Sequence, residues 1–313
     1  MPRPHIALLL AIAASIAVTF FSDSIDAYLL DVAMGVGINI ILAVSLNLVT
    51  GHTGQFSLGH AGFMAVGAYL SSAVTLHLGP ILLGAEGGDA LGQGGVFALA
   101  LVVGGVCAAL AGLLIGIPSL RLKGDYLALV TLGFGEIIRV IFQNVEWLGG
   151  ALGLVGMPAY TTFAWTYACV GLTVFTVSCL VNSTYGCGFR ATRDDEIAAE
   201  AVGLDTTRYK IVAFVVGAFF AGVAGGLFAH FKLTIDPRGF DFLRSIEIVV
   251  MVILGGMGNT FGVILAAILL TILPEALREV AEYRMVIYSL MLILLMLLRP
   301  NGIFNLKPGA RRP

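Results

Sequence analysis

The chain has 313 residues, 58% hydrophobic and 12% charged, and its mean hydropathy is +0.98. Soluble domains carry about 25% charged residues, so the polar surface needed for a water-soluble fold of this size is missing. That excludes a cytosolic enzyme, a nuclear factor or a disordered chain, and a net charge of −2 gives nucleic acid nothing to bind.

A helix rising 1.5 Å per residue crosses about 30 Å of hydrocarbon in about 20 residues. Windows of that size predict spans at 6–22, 27–50, 56–78, 96–117, 126–142, 164–181 and 211–231, followed by shorter ones at 246–256, 260–274 and 285–298. The expected fold is an all-α polytopic bundle of about ten transmembrane spans, forming one domain over 1–313. The first span follows Arg3 as a signal peptide would, but residues 22–27 offer no small-residue cleavage site, so it is read as a retained span. Glycine contributes 40 residues, nearly twice its usual share of about 7%, which favours closely packed helices. The four cysteines, Cys107, Cys169, Cys179 and Cys187, have no C-x-x-C spacing and read as small core residues rather than a disulfide or metal framework.

Lys and Arg collect on cytoplasmic loops. Arg121 and Lys123, then Arg190, Arg193, Arg208 and Lys210, then Arg299, Lys307, Arg311 and Arg312 all fall on one side of a ten-span chain with both termini inside. Connections 79–95 and 143–163 carry no basic residue and fall outside. Segment 232–245 dissents, with Lys232, Arg238 and Arg244 on the outer side.

In chain order, the first segment that is not plain membrane anchor begins within span two. Asp31, Asn39 and Asn47 are spaced by eight and return to nearly one helical face. Next comes Gly51-His52-Thr53-Gly54-Gln55-Phe56-Ser57-Leu58-Gly59-His60-Ala61-Gly62, poor both as helix and as lipid-facing surface. Broken backbone at membrane depth survives where protein buries it or water lines it, so this stretch is either a solute-path lining or a tight turn at the membrane surface. The candidate path residues are Asn39, Asn47, Gly51, Gly54, Gln55, Ser57, Gly59 and His60. The two histidines are eight apart without carboxylate or cysteine company, so no metal site is expected.

Glu136 and Arg139, three apart in span five, can neutralise each other on one face; their position suggests an interfacial pair that fixes the helix. The connection 182–210 is charged and reads as structured. Thr192 followed by Asp195 suggests an N-cap and capping pattern, Ile197, Ala198, Ala201 and Val202 form a small apolar face, Gly203 is a C-terminal stop, and Asp205 can cap the next helix. A free-standing helix with such a face suits a groove on a partner, or it lies on its own bundle. A second glycine break, Gly255-Gly256-Met257-Gly258-Asn259-Thr260-Phe261-Gly262, resembles the first. Paired interrupted segments suggest an internal repeat of the kind found in transporters. No phosphate-binding loop, H-E-x-x-H or G-x-S-x-G is present, so no ATPase site, catalytic residue or cofactor is expected in this chain.

Residues 47–63, 120–134 and 188–203, and the block 255–262 with the closing Arg299-Pro300-Asn301-Gly302-Ile303-Phe304, together resemble the LivM-type permease subunits of branched-chain amino acid ABC importers. The resemblance implies a permease of the bacterial inner membrane that pairs with a second, related permease and two cytoplasmic ATP-binding subunits. A periplasmic or lipid-anchored solute-binding protein would deliver leucine, isoleucine or valine. It further implies that the 182–210 loop holds the coupling helix, with Ile197, Ala198, Ala199, Glu200 and Gly203 meeting the ATPase. Such importers carry Glu-Ala-Ala followed by Gly; here Ile197 stands in the glutamate's place, flanked by Glu196 and Glu200. On this reading Gly203→Val or Ala199→Arg leaves the bundle folded but uncouples it. Urea or short-chain amide importers use a similar permease, and a stand-alone secondary carrier is the alternative from another class.

Overall fold

The computed structural model describes residues 26–83, 90–119, 122 and 124–277, with 283, 286, 289, 290 and 293 beyond them. Inside a bilayer every backbone polar group must find a partner within the chain, and the apolar runs do so as helices. They are α1 (Ala27–Asn47), which continues as a π-helical turn over Leu48–His52; α2 (His60–Ala73), a second π turn over Val74–Leu78 and α3 (Gly79–Leu83); α4 (Ala90–Ser119); α5 (Asp125–Asn144); α6 (Phe163–Val181); α7 (Thr184–Asp194); α8 (Glu196–Ala201); α9 (Thr206–Lys232); α10 (Phe242–Gly255); and α11 (Thr260–Ala276).

Six stretches among the described residues are long and apolar enough to cross a membrane: Ala27–His52, His60–Leu82, Gly92–Ser119, Tyr126–Asn144, Phe163–Val181 and Thr206–Lys232. They correspond to the second through seventh expected spans. The expected span 6–22 and the basic residues Arg121, Lys123, Arg299, Lys307, Arg311 and Arg312 lie outside the described residues, as does most of 285–298. Helices α10 and α11, with 14 and 17 residues, reach only about 21 and 26 Å at 1.5 Å per residue. They form a hairpin that turns at residues 256–259 and lies along α1. Expected spans 246–256 and 260–274 are the two legs of this hairpin, so the described part is six long helices plus a hairpin.

The middle of the bundle is α9, gripped by α1, α2 and α4. Small residues let these backbones touch. A side chain at Gly67 of α2 would overlap the Gly222 backbone of α9, and one at Gly225 would overlap the Met64 carbonyl. Phe63 and Phe214 fill the remaining space edge to face, with ring centroids 5.4 Å apart.

One departure from the all-α expectation is a two-residue antiparallel ladder, β1 (Leu154–Val155) with β2 (Thr234–Ile235), pairing Leu154 with Ile235. It clips the α5–α6 connection to the α9–α10 connection. The bundle therefore has two distinct ends. One carries α7, α8, the 51–59 break and the hairpin turn; the other carries the ladder, the start of α1 and the end of α9.

Candidate transport path and coupling site

At the first end, the 182–210 connection is an elbow of two helices rather than one. Thr192 does not cap; it lies inside α7, buried, and its Oγ1 donates to the Gly188 carbonyl at 2.9 Å. The break falls at Asp195, whose backbone is extended (φ −157°, ψ 108°) and whose carboxylate accepts from the N–H groups of Ile197 and Ala198. The capping signal was therefore real but three residues late, because a mid-helix threonine can satisfy its hydroxyl on the carbonyl one turn back. Gly203 ends α8 with φ +87°, a conformation that suits glycine. Asp205 caps α9 by accepting from the Arg208 N–H at 3.1 Å.

The elbow is braced from within. Lys210 of α9, 8% exposed, pairs with Glu196 at 2.7 Å, and Thr206 donates to Glu200 Oε1 at 2.7 Å. Glu196 therefore faces the bundle, and so does Ala199, 4% exposed, while Glu200 stays exposed as it holds Thr206. What α8 shows outward is Ile197, Ala198, Ala201 and Val202, with Ile197 72% and Val202 78% exposed. Of the expected coupling residues, Ile197, Ala198 and Gly203 are on the surface, Ala199 is in the core, and Glu200 is tied to Thr206.

Arg193, at the end of α7, joins this elbow to the interior. Its Nη1 donates to the Gly51 carbonyl at 3.2 Å, and its other nitrogens bond Asp194. Gly51 is where the two glycine breaks meet: Asn47 Oδ1 accepts from Gly258 N–H at 2.9 Å, and any side chain at Gly51 would overlap both Asn47 and the Gly258 nitrogen. The two breaks, distant in sequence, thus form one joint under the elbow.

Around that joint the chain turns inward. Ser45 donates to the Leu42 carbonyl at 3.0 Å and lies 2.9 Å from His60 Nε2. The Leu58 N–H donates to Thr131 of α5 and the Ala61 N–H to Ser245 of α10, while Gly59 lies directly on the Thr131 carbonyl.

Most of the segment's polar side chains are less settled. Among the described residues, buried side-chain atoms without a hydrogen-bond partner are Asn47 Nδ2, Thr50 Oγ1, His52 Nε2, both amide atoms of Gln55, Ser57 Oγ and Tyr69 OH. All but the tyrosine fall within 47–57. Buried polar groups are nearly always paired in folded proteins, so this concentration sets the 47–57 stretch apart from the rest of the described core.

Asn39 does not belong to this group. Together with Asp31 it lines a cavity at the opposite end, donating to Thr271 at 2.9 Å and accepting from Arg244 at 2.7 Å. The common face of Asp31, Asn39 and Asn47 is explained by what docks there: Asn39 and Asn47 reach the hairpin, and Asp31 reaches Lys232 at 3.8 Å. The dissenting charges of segment 232–245 are thereby compensated in part, Lys232 by Asp31 and Arg244 by Glu247 at 2.8 Å. Glu136 and Arg139 do pair, at 2.6 Å, but they sit at the middle of α5 rather than at its end.

Sequence reasoning missed the bridging role of Arg193 and the buried Lys210. The available signal was a lysine immediately preceding a long apolar run, with glutamates about a dozen residues before it. Among the described residues no group of three or more His, Cys, Asp or Glu converges to hold a metal ion. Cys107, Cys169 and Cys179 are only half-buried and Cys187 is exposed, all as free thiols.

Residues 28–298 match the family model described as "Branched-chain amino acid transport system / permease component". The chain is 34% identical to the high-affinity branched-chain amino acid transport system permease protein LivM of Escherichia coli strain K12, covering 90% of this chain and 71% of that one. It is 24% identical to the probable LivM of Methanocaldococcus jannaschii, over 70% and 71%. It is 29% identical to LivH of Escherichia coli strain K12, over 58% and 59%. No solved structure matches the chain.

Proposed function

The chain belongs to the branched-chain amino acid transport system permease family, and from that membership we propose how it works. It is the membrane-spanning subunit of an ABC importer for branched-chain amino acids. We place it in the bacterial inner membrane with the elbow end in the cytoplasm. A related permease of the LivH kind completes the pore, two ATP-binding subunits sit beneath the pair, and an external binding protein delivers the solute.

The exposed apolar face of α8 is the part the ATPase grips. When the ATPases close on ATP, the elbow moves as a unit, because Asp195 caps α8 and the Glu196–Lys210 pair locks it to α9. The push enters α9 directly and reaches the Gly51–Gly258 joint through Arg193. That joint carries the unpaired polar groups of Asn47, Thr50, Gln55 and Ser57. Its displacement opens and closes the cytoplasmic half of the path. No covalent chemistry takes place in this chain; it converts a partner's motion into access.

The observation that supports this most directly is the Arg193–Gly51 hydrogen bond, which ties the elbow to the polar break. The test is ATP-driven leucine uptake by proteoliposomes holding all subunits, comparing wild type with Ile197→Asp. The expected outcome is a folded, membrane-inserted variant without uptake. Unimpaired uptake by that variant contradicts the assignment.

A further inference from the structure

At the end opposite the elbow, a cavity of about 150 Å³ opens among α1, α9, α10 and α11. Four charged side chains line it, two acidic (Asp31 and Glu275) and two basic (Lys232 and Arg244). Asp31 and Lys232 are 3.8 Å apart, longer than a hydrogen bond, and each is about half exposed; a pair so placed adds little to stability by itself. Arg244, in contrast, is held in place by bonds to Asn39 and Glu247. Those two bonds leave most of a guanidinium's five N–H donors uncommitted. Glu275 is oriented by the Tyr28 hydroxyl, which donates to it at 2.6 Å.

The remaining wall is apolar, formed chiefly by Val32, Phe228 and Phe231. Gly35 also lines the cavity, and among the described residues a Cβ added there meets nothing within 4 Å. Balanced charges of both signs beside an aliphatic and aromatic wall suit one ligand chemistry: a free α-amino acid with an apolar side chain.

We propose that this cavity is an entry subsite for zwitterionic amino acids on the external side of the permease. Asp31, supported by Glu275, takes the ammonium; Lys232 and Arg244 take the carboxylate; the side chain rests on Phe228 and Phe231. The half-exposed Asp31–Lys232 pair, 3.8 Å apart, parts to admit the two charges of the ligand. A neutral urea or amide leaves all four charges without a counterpart, so the same geometry selects against that class. The assignment rests on the importer reading above and deepens it.

The test uses the complete complex of this chain with its partner permease and ATPases in lipid nanodiscs, without binding protein. The probes are L-leucine and 4-methylpentanamide, an isostere lacking both charges. Leucine binds and the amide does not compete. Asp31→Asn and Lys232→Gln each weaken leucine binding by about tenfold or more, the value of one charge-assisted hydrogen bond. Gly35→Val, which has room to fold, excludes leucine at an unchanged melting temperature. Equal binding of the amide, or wild-type leucine affinity in both charge variants, overturns the subsite. ATP-driven leucine uptake by the same complex, reconstituted into sealed proteoliposomes together with its binding protein, separates the two levels. A wild-type complex that transports no leucine removes the importer reading, whereas one that transports leucine but does not bind it here removes only the subsite.

Discussion

The side-chain oxygen of Asn47 accepts a hydrogen bond from the backbone N–H of Gly258 at 2.9 Å, across 211 positions of sequence. This bond fastens the tip of the α10–α11 hairpin to the π turn that ends α1. Gly258 sits at a break in the backbone, so the bond gives its N–H the partner that regular helix would otherwise provide.

Asn47→Ala removes the acceptor and leaves the Gly258 N–H unpaired, a loss of about 1–3 kcal/mol. The melting temperature of the detergent-purified permease is expected to fall, with leucine uptake reduced. Gly133→Ala is the control, because among the described residues a Cβ there meets nothing within 4 Å and alanine favours a helix interior by about 0.5–1 kcal/mol. An unchanged melting temperature for Asn47→Ala would show that the joint is held by other contacts.

Gly67 and Gly222 set the approach of α2 to α9, and a methyl group at Gly67 has only backbone to displace. Gly67→Ala should lower membrane abundance and melting temperature more than Gly133→Ala, although both create the same residue. Thermal scanning of the two variants side by side decides it. Equal stability would mean that the helices can slide apart without cost.

The Glu196–Lys210 pair buries an ammonium that is 8% exposed. Removing one member of a buried pair costs about 3–5 kcal/mol, because the remaining charge is stranded. Glu196→Gln should therefore destabilise the elbow more than the double variant Glu196→Gln/Lys210→Met. Proteolysis of the elbow under native conditions reads this difference, and additive effects would argue against coupling between the two.

Ala198→Arg and Ala199→Arg separate docking from packing. Ala198 faces outward, so its arginine should leave the fold within about 0.5 kcal/mol of wild type while blocking ATPase association. Ala199 is buried, and its arginine should unfold the elbow. Co-purification of the ATPase subunits and melting temperature together distinguish these outcomes; identical behaviour of the two variants would contradict the orientation of α8.

Six spans were legible because about 20 apolar residues in a row have few alternatives to a membrane helix. The hairpin was harder: its legs are too short to cross alone, and only its docking on α1 shows them to be a pair. In the elbow, Thr192 and Asp195 both carry capping oxygens, and sequence offers no means of knowing that Thr192 is already satisfied by Gly188. Helical spacing put Ala198 on one apolar face with Ile197, Ala201 and Val202, and these are the exposed residues, whereas the family pattern added Ala199, which the fold buries. The polar run 51–62 stood out on composition. Its contact with Arg193 did not, because that partner lies 142 residues away. Lys232 and Arg244 broke the pattern of basic residues on one side, and the reason lay in Asp31, Glu247 and Asn39, which only the fold brings near them.

The measurement closest to the central claim is the number of leucines transported per ATP hydrolysed by the complete transporter carrying Arg193→Ala. If Arg193 transmits the elbow's motion to the Gly51–Gly258 joint, ATP hydrolysis continues near the wild-type rate while leucine transport collapses, so the ratio falls steeply. A ratio equal to that of wild type, whether both rates hold or both drop together, would contradict it.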